Sequence, residues 1–414
     1  MPIGGCRERE GAMSLEVTSE SGEAASRFRG QVLTALGLSA GAAVALGLSR
    51  FAYGLLLPPM RADLGWTYVE AGALNTANGA GYIGGALVAA LAARRWGAAR
   101  AFIAGYAVSV LILLLTAVTG NFLALFALRT LGGFSTAFTF ILGAALTSAI
   151  CPAENPRRRG LLVGLYVAGV SIAVLLSGAV VPFVLQEGTH RWPQAWAALG
   201  VLGVIGLPFA WAAARRIREP AGGAAATLDR GQLRQLAPTV IGYGLFGAGY
   251  VGYMTFIMVL LQSQGGSSGQ MIWFWFVLGA VSAVSNLIWG RVLGAFDDGR
   301  GPALVFAIAM IGALPVLLYP GPAAMFLSAV IFGGSFMAGP SSITIVVQRQ
   351  LAPGSWTAAI SLLTVSFAFG QAVGPIIGGA ISDSTGNVAA GFWTTPILLG
   401  AAACANLLQR PPAR

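Results

Sequence analysis

The sequence contains no lysine, one histidine, His190, and three cysteines, Cys6, Cys151 and Cys404. Cysteines so far apart match no metal-ligand spacing and no disulfide framework. Charge of either sign is scarce, 9% of residues against about 25% in a soluble domain. So little charge cannot coat a water-facing surface, which excludes the soluble domains that 414 residues would otherwise allow. There is no Gly-Lys-Ser/Thr phosphate loop, no nucleophile elbow and no metal cluster. Neither an enzyme nor an ATP-driven pump is expected, and no cofactor. A cleavable leader is missing as well: the first 30 residues carry Arg7, Arg9, Glu16, Glu20, Arg27 and Arg29 with no apolar core, and read as a cytoplasmic tail in which Met13 is a second candidate start.

What the sequence has is apolar surface. Hydrophobic residues make up 56% and glycines number 58, with a mean hydropathy of +0.77. A helix crosses the hydrocarbon core in about 20 residues. Twelve runs qualify, at 33–58, 69–92, 99–119, 121–150, 160–186, 194–214, 237–262, 270–294, 302–320, 322–349, 358–382 and 388–408. The expected fold is therefore an all-α membrane protein of twelve transmembrane helices. Its expected divisions are a cytoplasmic tail 1–32, a six-helix bundle 33–214, a polar linker 215–236, a second six-helix bundle 237–408 and a tail 409–414.

The net charge of +10 invites a nucleic-acid reading, which the distribution argues against. The arginines stand in short clusters between apolar runs, as the positive-inside bias requires of cytoplasmic loops. With both termini inside, the inner segments hold all but four of the 24 basic residues. Arg61 and Arg191 fall in outer loops, and Arg50 and Arg129 fall inside helices. The expected location is the inner (plasma) membrane, as a multi-pass monomer in contact with lipid.

The halves read as repeats. Gly169 and Gly178 in the fifth run are spaced as Gly370 and Gly379 in the eleventh, and Gly132-Gly133 as Gly333-Gly334, all at one offset. Gly47…Tyr53 in the first run echoes Gly244…Tyr250 in the seventh. Duplicated halves account for this; packing glycines spaced by chance are the other reading.

On these residues the chain resembles the major facilitator superfamily over essentially its whole length. Arg129-Thr-Leu-Gly-Gly-Phe-Ser-Thr-Ala137 looks like that superfamily's arginine-glycine motif. The stretch from Gly47 to Trp66 is similar to the YbfB/YjiJ branch, with some likeness to oxalate/formate and monocarboxylate porters. The resemblance implies two pseudo-symmetric six-helix bundles and a central cavity lined by the first, fourth, seventh and tenth helices. Three departures stand out. The loop Ala93-Arg94-Arg95-Trp96-Gly97 lacks the usual acid before its basic pair. The loop from Gly290 to Arg300 is irregular. The fifth run, Gly169 to Gly178, lacks the Gly-Pro pair typical of drug/proton antiporters.

Arg50 and Arg129 are the sharpest candidates. An intramembrane arginine costs at least about 2.5–3.5 kcal/mol and normally faces the bundle interior. Each lies eight residues from the expected outer end of its run, roughly 12 Å deep at about 1.5 Å per residue. Two guanidinium forks at one depth suit a carboxylate or phosphonate. The competing reading is that Arg129 orients helices and Arg50 bonds between them. The acids Asp63, Glu70, Glu187 and Asp383 all fall near outer ends, leaving neither arginine a mid-membrane counter-ion and no proton relay of the usual kind. Tyr243, Phe246, Tyr250 and Tyr253 share a helical face, and Tyr53 shares one with Arg50; these rings are candidate pocket walls or ordinary packing. Asn75, Asn78 and Tyr82, and separately Gln371 with Ser361 and Thr364, form polar faces that serve a substrate or join helices. Three functions stay open: a secondary carrier for a small organic anion, by efflux or exchange; a multidrug-type exporter of hydrophobic or cationic compounds; and a non-transporting scaffold or sensor. Pro58-Pro59, Gly339-Pro340 and Pro375 are candidate bends.

Overall fold

The computed structural model describes residues 26–150, 156–217, 228–352 and 355–411. Residues 1–25 of the expected tail, residues 218–227 of the linker, and Cys6 and Cys151 lie outside it. In hydrocarbon a backbone must satisfy its own polar groups, so helix is the available solution, and among the described residues no strand occurs. Twelve helices are long and apolar enough to cross a membrane. They are α1 Ser26–Leu64, α2 Tyr68–Trp96, α3 Ala98–Thr116, α4 Phe122–Ala149, α5 Pro156–Leu185, α6 Trp192–Ala214, α7 Arg230–Ser263, α8 Ser268–Leu293, α9 Arg300–Leu318, α10 Pro322–Gln350, α11 Trp356–Thr385 and α12 Val388–Leu407. The face at which α1 begins is here the near side, and the face at which it ends the far side.

Two helices start earlier than hydropathy suggests. α1 is already helical at Ser26, ahead of the expected 33, with polar Gln31 donating to the Ile150 carbonyl at 3.1 Å. α7 begins at Arg230 rather than 237, because Asp229 and Gln232 form a capping box that starts a polar turn. Both extensions remove residues from the expected tail and linker: hydropathy finds the span, whereas α7 extends to its cap. Of the candidate bends, Gly339-Pro340 stands at a real interruption, with α10 broken by a 3-10 turn over Phe336–Ala338. Pro58-Pro59 and Pro375 lie within continuous helix. α1 carries an unexpected feature: Ala43–Phe51 is π-helical, and the Ala52 N–H reaches back five residues to the Gly47 carbonyl.

Two pairs of the repeat's glycines meet corresponding helices in the two halves. A Cβ at Gly169 on α5 would lie 2.2 Å from the Ser39 carbonyl oxygen on α1, and one at Gly370 on α11 1.8 Å from that of Gly244 on α7. Each joins the fifth helix of a half to the first helix of the same half. Gly178 and Gly379 instead face the second helix of the opposite half, with Cβ positions 2.8 Å from Trp275 on α8 and 2.7 Å from the Tyr68 carbonyl oxygen on α2. Gly133 meets the Asn78 backbone of α2, while its counterpart Gly334 has the Val281 side chain of α8 at 3.5 Å; Gly333 meets the Leu278 backbone of α8, while its counterpart Gly132 has only the Ile112 and Asn78 side chains near. Where the neighbour is backbone, as at Gly133, Gly169, Gly333, Gly370 and Gly379, a side chain would force helices apart, which is how small residues set close helix packing in lipid. The pattern is that of two pseudo-symmetric six-helix bundles.

Two seams join the halves. Along α2 and α11, Thr76 donates to the Ala372 carbonyl, and the Asp383 carboxylate accepts from the Tyr68 and Val69 N–H groups at 2.8 and 2.7 Å. That carboxylate closes the positive end of α2. Along α5 and α8, Ser171 and Ser282 hydroxyls are 3.4 Å apart, and Trp275 Nε1 donates to Ser177 at 3.3 Å. Arg50, Gln371, Ser171 and Ser282 each stand fourteen residues from the far-side ends of their helices, Leu64, Thr385, Leu185 and Ser268, about 21 Å deep at 1.5 Å per residue. Among the described residues, no hydrogen bond joins the halves on the near side of that level.

Candidate substrate site

α1 brings Arg50 to the centre of the protein from within its π-helical stretch, a wide turn often found at functional positions. The side chain is buried, 7% exposed. Its Nη2 donates to Oε1 of Gln371 on α11, across the two halves. Its Nε has no partner, and neither has Nε2 of the wholly buried Gln371. The guanidinium stands 5.8 Å from the centre of the Tyr82 ring. Phe51, the next residue, meets Tyr250 and Phe336 edge-on at 6.1 and 6.2 Å, so aromatic walls from α7 and α10 close the other side.

Arg129 is bound differently. Its Nη1 donates to the Ser49 carbonyl at 2.7 Å, while Nε and Nη2 reach the Leu74 carbonyl and Asn75 Oδ1, each at 3.5 Å. Its guanidinium lies 4.4 Å over the Tyr53 ring, and the Tyr53 hydroxyl donates to the Ala71 carbonyl at 2.8 Å. Every nitrogen of the fork thus has an acceptor, and the side chain ties α4 to α1 and α2. Asn78 donates to Arg129's own carbonyl at 3.2 Å, leaving its Oδ1 buried without a donor. Asn75 donates across the halves to Thr255 at 2.5 Å. The two arginines lie side by side, since Arg129 grips the residue before Arg50, yet of the two only Arg50 has a buried nitrogen without an acceptor, its Nε.

The stripe on α7 is a stacked ladder. Ring centres step from Tyr243 to Phe246 at 6.0 Å, to Tyr250 at 5.6 Å and to Phe336 at 5.5 Å. They continue to Phe332 at 5.5 Å and Tyr253 at 3.6 Å. Tyr250 reaches the Arg50 region. Tyr253 is wholly buried and turned away, its hydroxyl donating to Ser328 at 2.6 Å, while Ser328 donates to the Gly312 carbonyl at 2.6 Å. Tyr243 stacks on Phe367 of α11 at 4.8 Å. On α11, Thr364 bonds back to its own helix.

No carboxylate forms an ion pair with Arg50 or Arg129 among the described residues; the pairs there are Arg191–Glu187, Arg300–Asp298 and Arg349–Asp297. Nor is there a cluster of metal-ligating side chains among them. Two cavities lie apart from Arg50. One of about 660 Å³ runs between α8, α9 and α10 and is apolar, with exposed Val284 and Ile288 in its wall. The other, about 430 Å³, opens on the near side beside Arg27, Gln31 and Arg216. Several contributors to the centre carried no sequence signal. The Ser49 and Leu74 carbonyls are backbone, and Phe51 and Phe336 look like any apolar residue. Asp383 is visible as a helix-end acid, but its partner on α2 is set only by the fold.

Residues 42–407 match the family described as "Uncharacterised MFS-type transporter YbfB". The chain belongs to this family. Similarity of this YbfB-family chain to a "Chloramphenicol resistance protein" of Streptomyces lividans is 29% identity over 396 residues, covering 88% of this chain and 93% of the relative. Solved structures share the fold at low identity. A bacterial homolog of the human lysosomal transporter Spinster, inward-facing and unoccupied, superposes with a TM-score of 0.70 at 16% identity, covering 92% of this chain and 95% of that one. The nucleoside transporter NupG gives 0.67 at 16%, covering 91% and 96%. A D-xylose-proton symporter gives 0.69 at 15%, covering 93% and 97%. The YbfB-family chain is thus a multi-pass membrane protein of the major facilitator class of transporters.

Proposed function

We propose that this transporter moves a small organic anion across the plasma membrane by alternating access, with bundles 33–214 and 237–408 rocking about the central site and both termini in the cytoplasm. One observation carries the reading: Arg50 is a buried cation with an unused N–H and no carboxylate partner among the described residues. An unpaired buried charge is costly, and an arriving anion relieves that cost. Among the described residues the bonds between the halves that carry distances lie at the far side and mid-depth; with near-side arginines counted as cytoplasmic, this favours a site reached from the cytoplasm. An inside-negative potential drives anions outward by about 2.3 kcal/mol per charge per 100 mV, so efflux or exchange fits a centre without Asp, Glu or His. The test is counterflow of labelled carboxylates in liposomes. Arg50→Ala is expected to reduce exchange at least about a hundredfold, the size of a lost buried charge contact of 3 kcal/mol or more. Exchange that survives the substitution would remove the anion site.

A second reading is efflux of lipophilic compounds. It is supported by the name of the Streptomyces lividans relative and by the stacked aromatic face of α7 and α10. On that reading, expression raises resistance to chloramphenicol and unrelated lipophilic compounds, and Arg50→Ala leaves the resistance intact.

A further inference from the structure

The Arg50–Gln371 contact leads one step further, and this step rests on the anion-carrier reading. Two buried donors in the centre lack acceptors, Arg50 Nε and Gln371 Nε2. They belong to residues already bonded to each other, Nη2 to Oε1, one on α1 and one on α11. The Nε–H and Nη2–H of a guanidinium form one parallel edge that matches the two oxygens of a carboxylate. In the structure half of that edge is empty and the other half is held by a neutral amide.

A carboxylate is a stronger acceptor than an amide oxygen. Placed on this edge, it takes both N–H groups and displaces Gln371 Oε1. The freed amide can then turn its idle Nε2–H toward the bound carboxylate. Two unsatisfied donors become none, which is the direction that buried polar groups favour. Arg129 keeps its charge, but each of its nitrogens already has an acceptor in Ser49, Leu74 or Asn75, so the open edge belongs to Arg50.

We infer that Gln371 is a positioning residue that makes the site selective for a planar carboxylate and that ties substrate arrival to the breaking of the direct α1–α11 bond. In the empty carrier that bond holds the halves together over an uncompensated charge. In the loaded carrier a carboxylate stands on the Arg50 edge and the link runs through the ligand. Loaded carriers therefore reorient and empty ones do not, so transport is exchange rather than net flow.

The full chain in liposomes tests this with radiolabelled acetate, lactate and benzoate. Wild type is expected to run monocarboxylate counterflow at least tenfold faster than net efflux. Gln371→Leu is expected to bring the counterflow-to-efflux ratio to near one and to raise KM about tenfold. Gln371→Glu places a permanent carboxylate on Arg50; it is expected to keep the wild-type melting temperature in detergent and lose the shift that benzoate produces. A Gln371→Leu carrier that keeps the wild-type ratio, or a Gln371→Glu carrier that still binds benzoate, overturns the inference. If Arg50→Ala is dead while Gln371→Leu keeps its ratio, the anion reading stands and this inference alone fails. If wild type exchanges none of the three monocarboxylates, both fail.

Discussion

The two bundles present opposite chemistry to the centre from equivalent positions. In the first, α1, α2 and α4 are joined by an arginine gripping carbonyls, with Asn75, Asn78 and Tyr53 completing the network. In the second, α7 and α10 are joined by stacked rings from Tyr243 to Phe332. The glycines that set helix spacing are shared, while the side chains between them are not. One wall is polar and charged, the other aromatic, so the centre has a cation on one side and rings on the other.

The contrast can be broken experimentally. Phe332→Ala removes a wholly buried ring stacked at 3.6 Å on Tyr253. It is expected to cost about 3–5 kcal/mol of unfolding free energy, read by steric trapping in bilayer discs. Arg129→Leu, in the polar bundle, strands the Ser49 and Leu74 carbonyls and is expected to cost about 2–3 kcal/mol. Arg129→Lys recovers only part of that, because a single ammonium cannot reproduce the fork. Arg50→Ala is expected to leave the same measurement at or above wild type, since it removes an uncompensated buried cation. Equal losses for the two arginines would erase the distinction drawn between them.

Smaller effects probe the links between the bundles and within the ladder. Asp383→Asn keeps a side-chain oxygen but loses the charge that caps α2. It is expected to raise the far-side-open population about two- to fivefold, the equivalent of 0.3–1 kcal/mol, seen as a second distance between far-side spin labels. Tyr253→Phe removes one hydroxyl bond to Ser328 and is expected to cost about 0.6 kcal/mol, the mean for such bonds inside membranes. A loss of several kcal/mol there would mean that the ladder depends on its polar end.

The helices were legible because the bilayer imposes a length and an apolarity that composition cannot hide. Arg50 and Gln371 were legible as rare polar residues in apolar runs. Their bond was not, because it joins positions far apart in sequence on opposite bundles. Arg129's role hung on backbone carbonyls, which every residue carries. Tyr253 shared a helical face with Tyr250 in projection, yet its hydroxyl turned to Ser328 on α10. The start of α7 was missed because a capping box, not hydropathy, decides where a polar turn begins.

The glycine contacts have a consequence for symmetry. On α5 and α11 one glycine fastens the helix inside its own bundle, and a second, nine residues on, meets the partner bundle's second helix. Each bundle so offers its fifth helix to the other's second helix, the exchange of like surfaces that marks an isologous contact, here made within one chain.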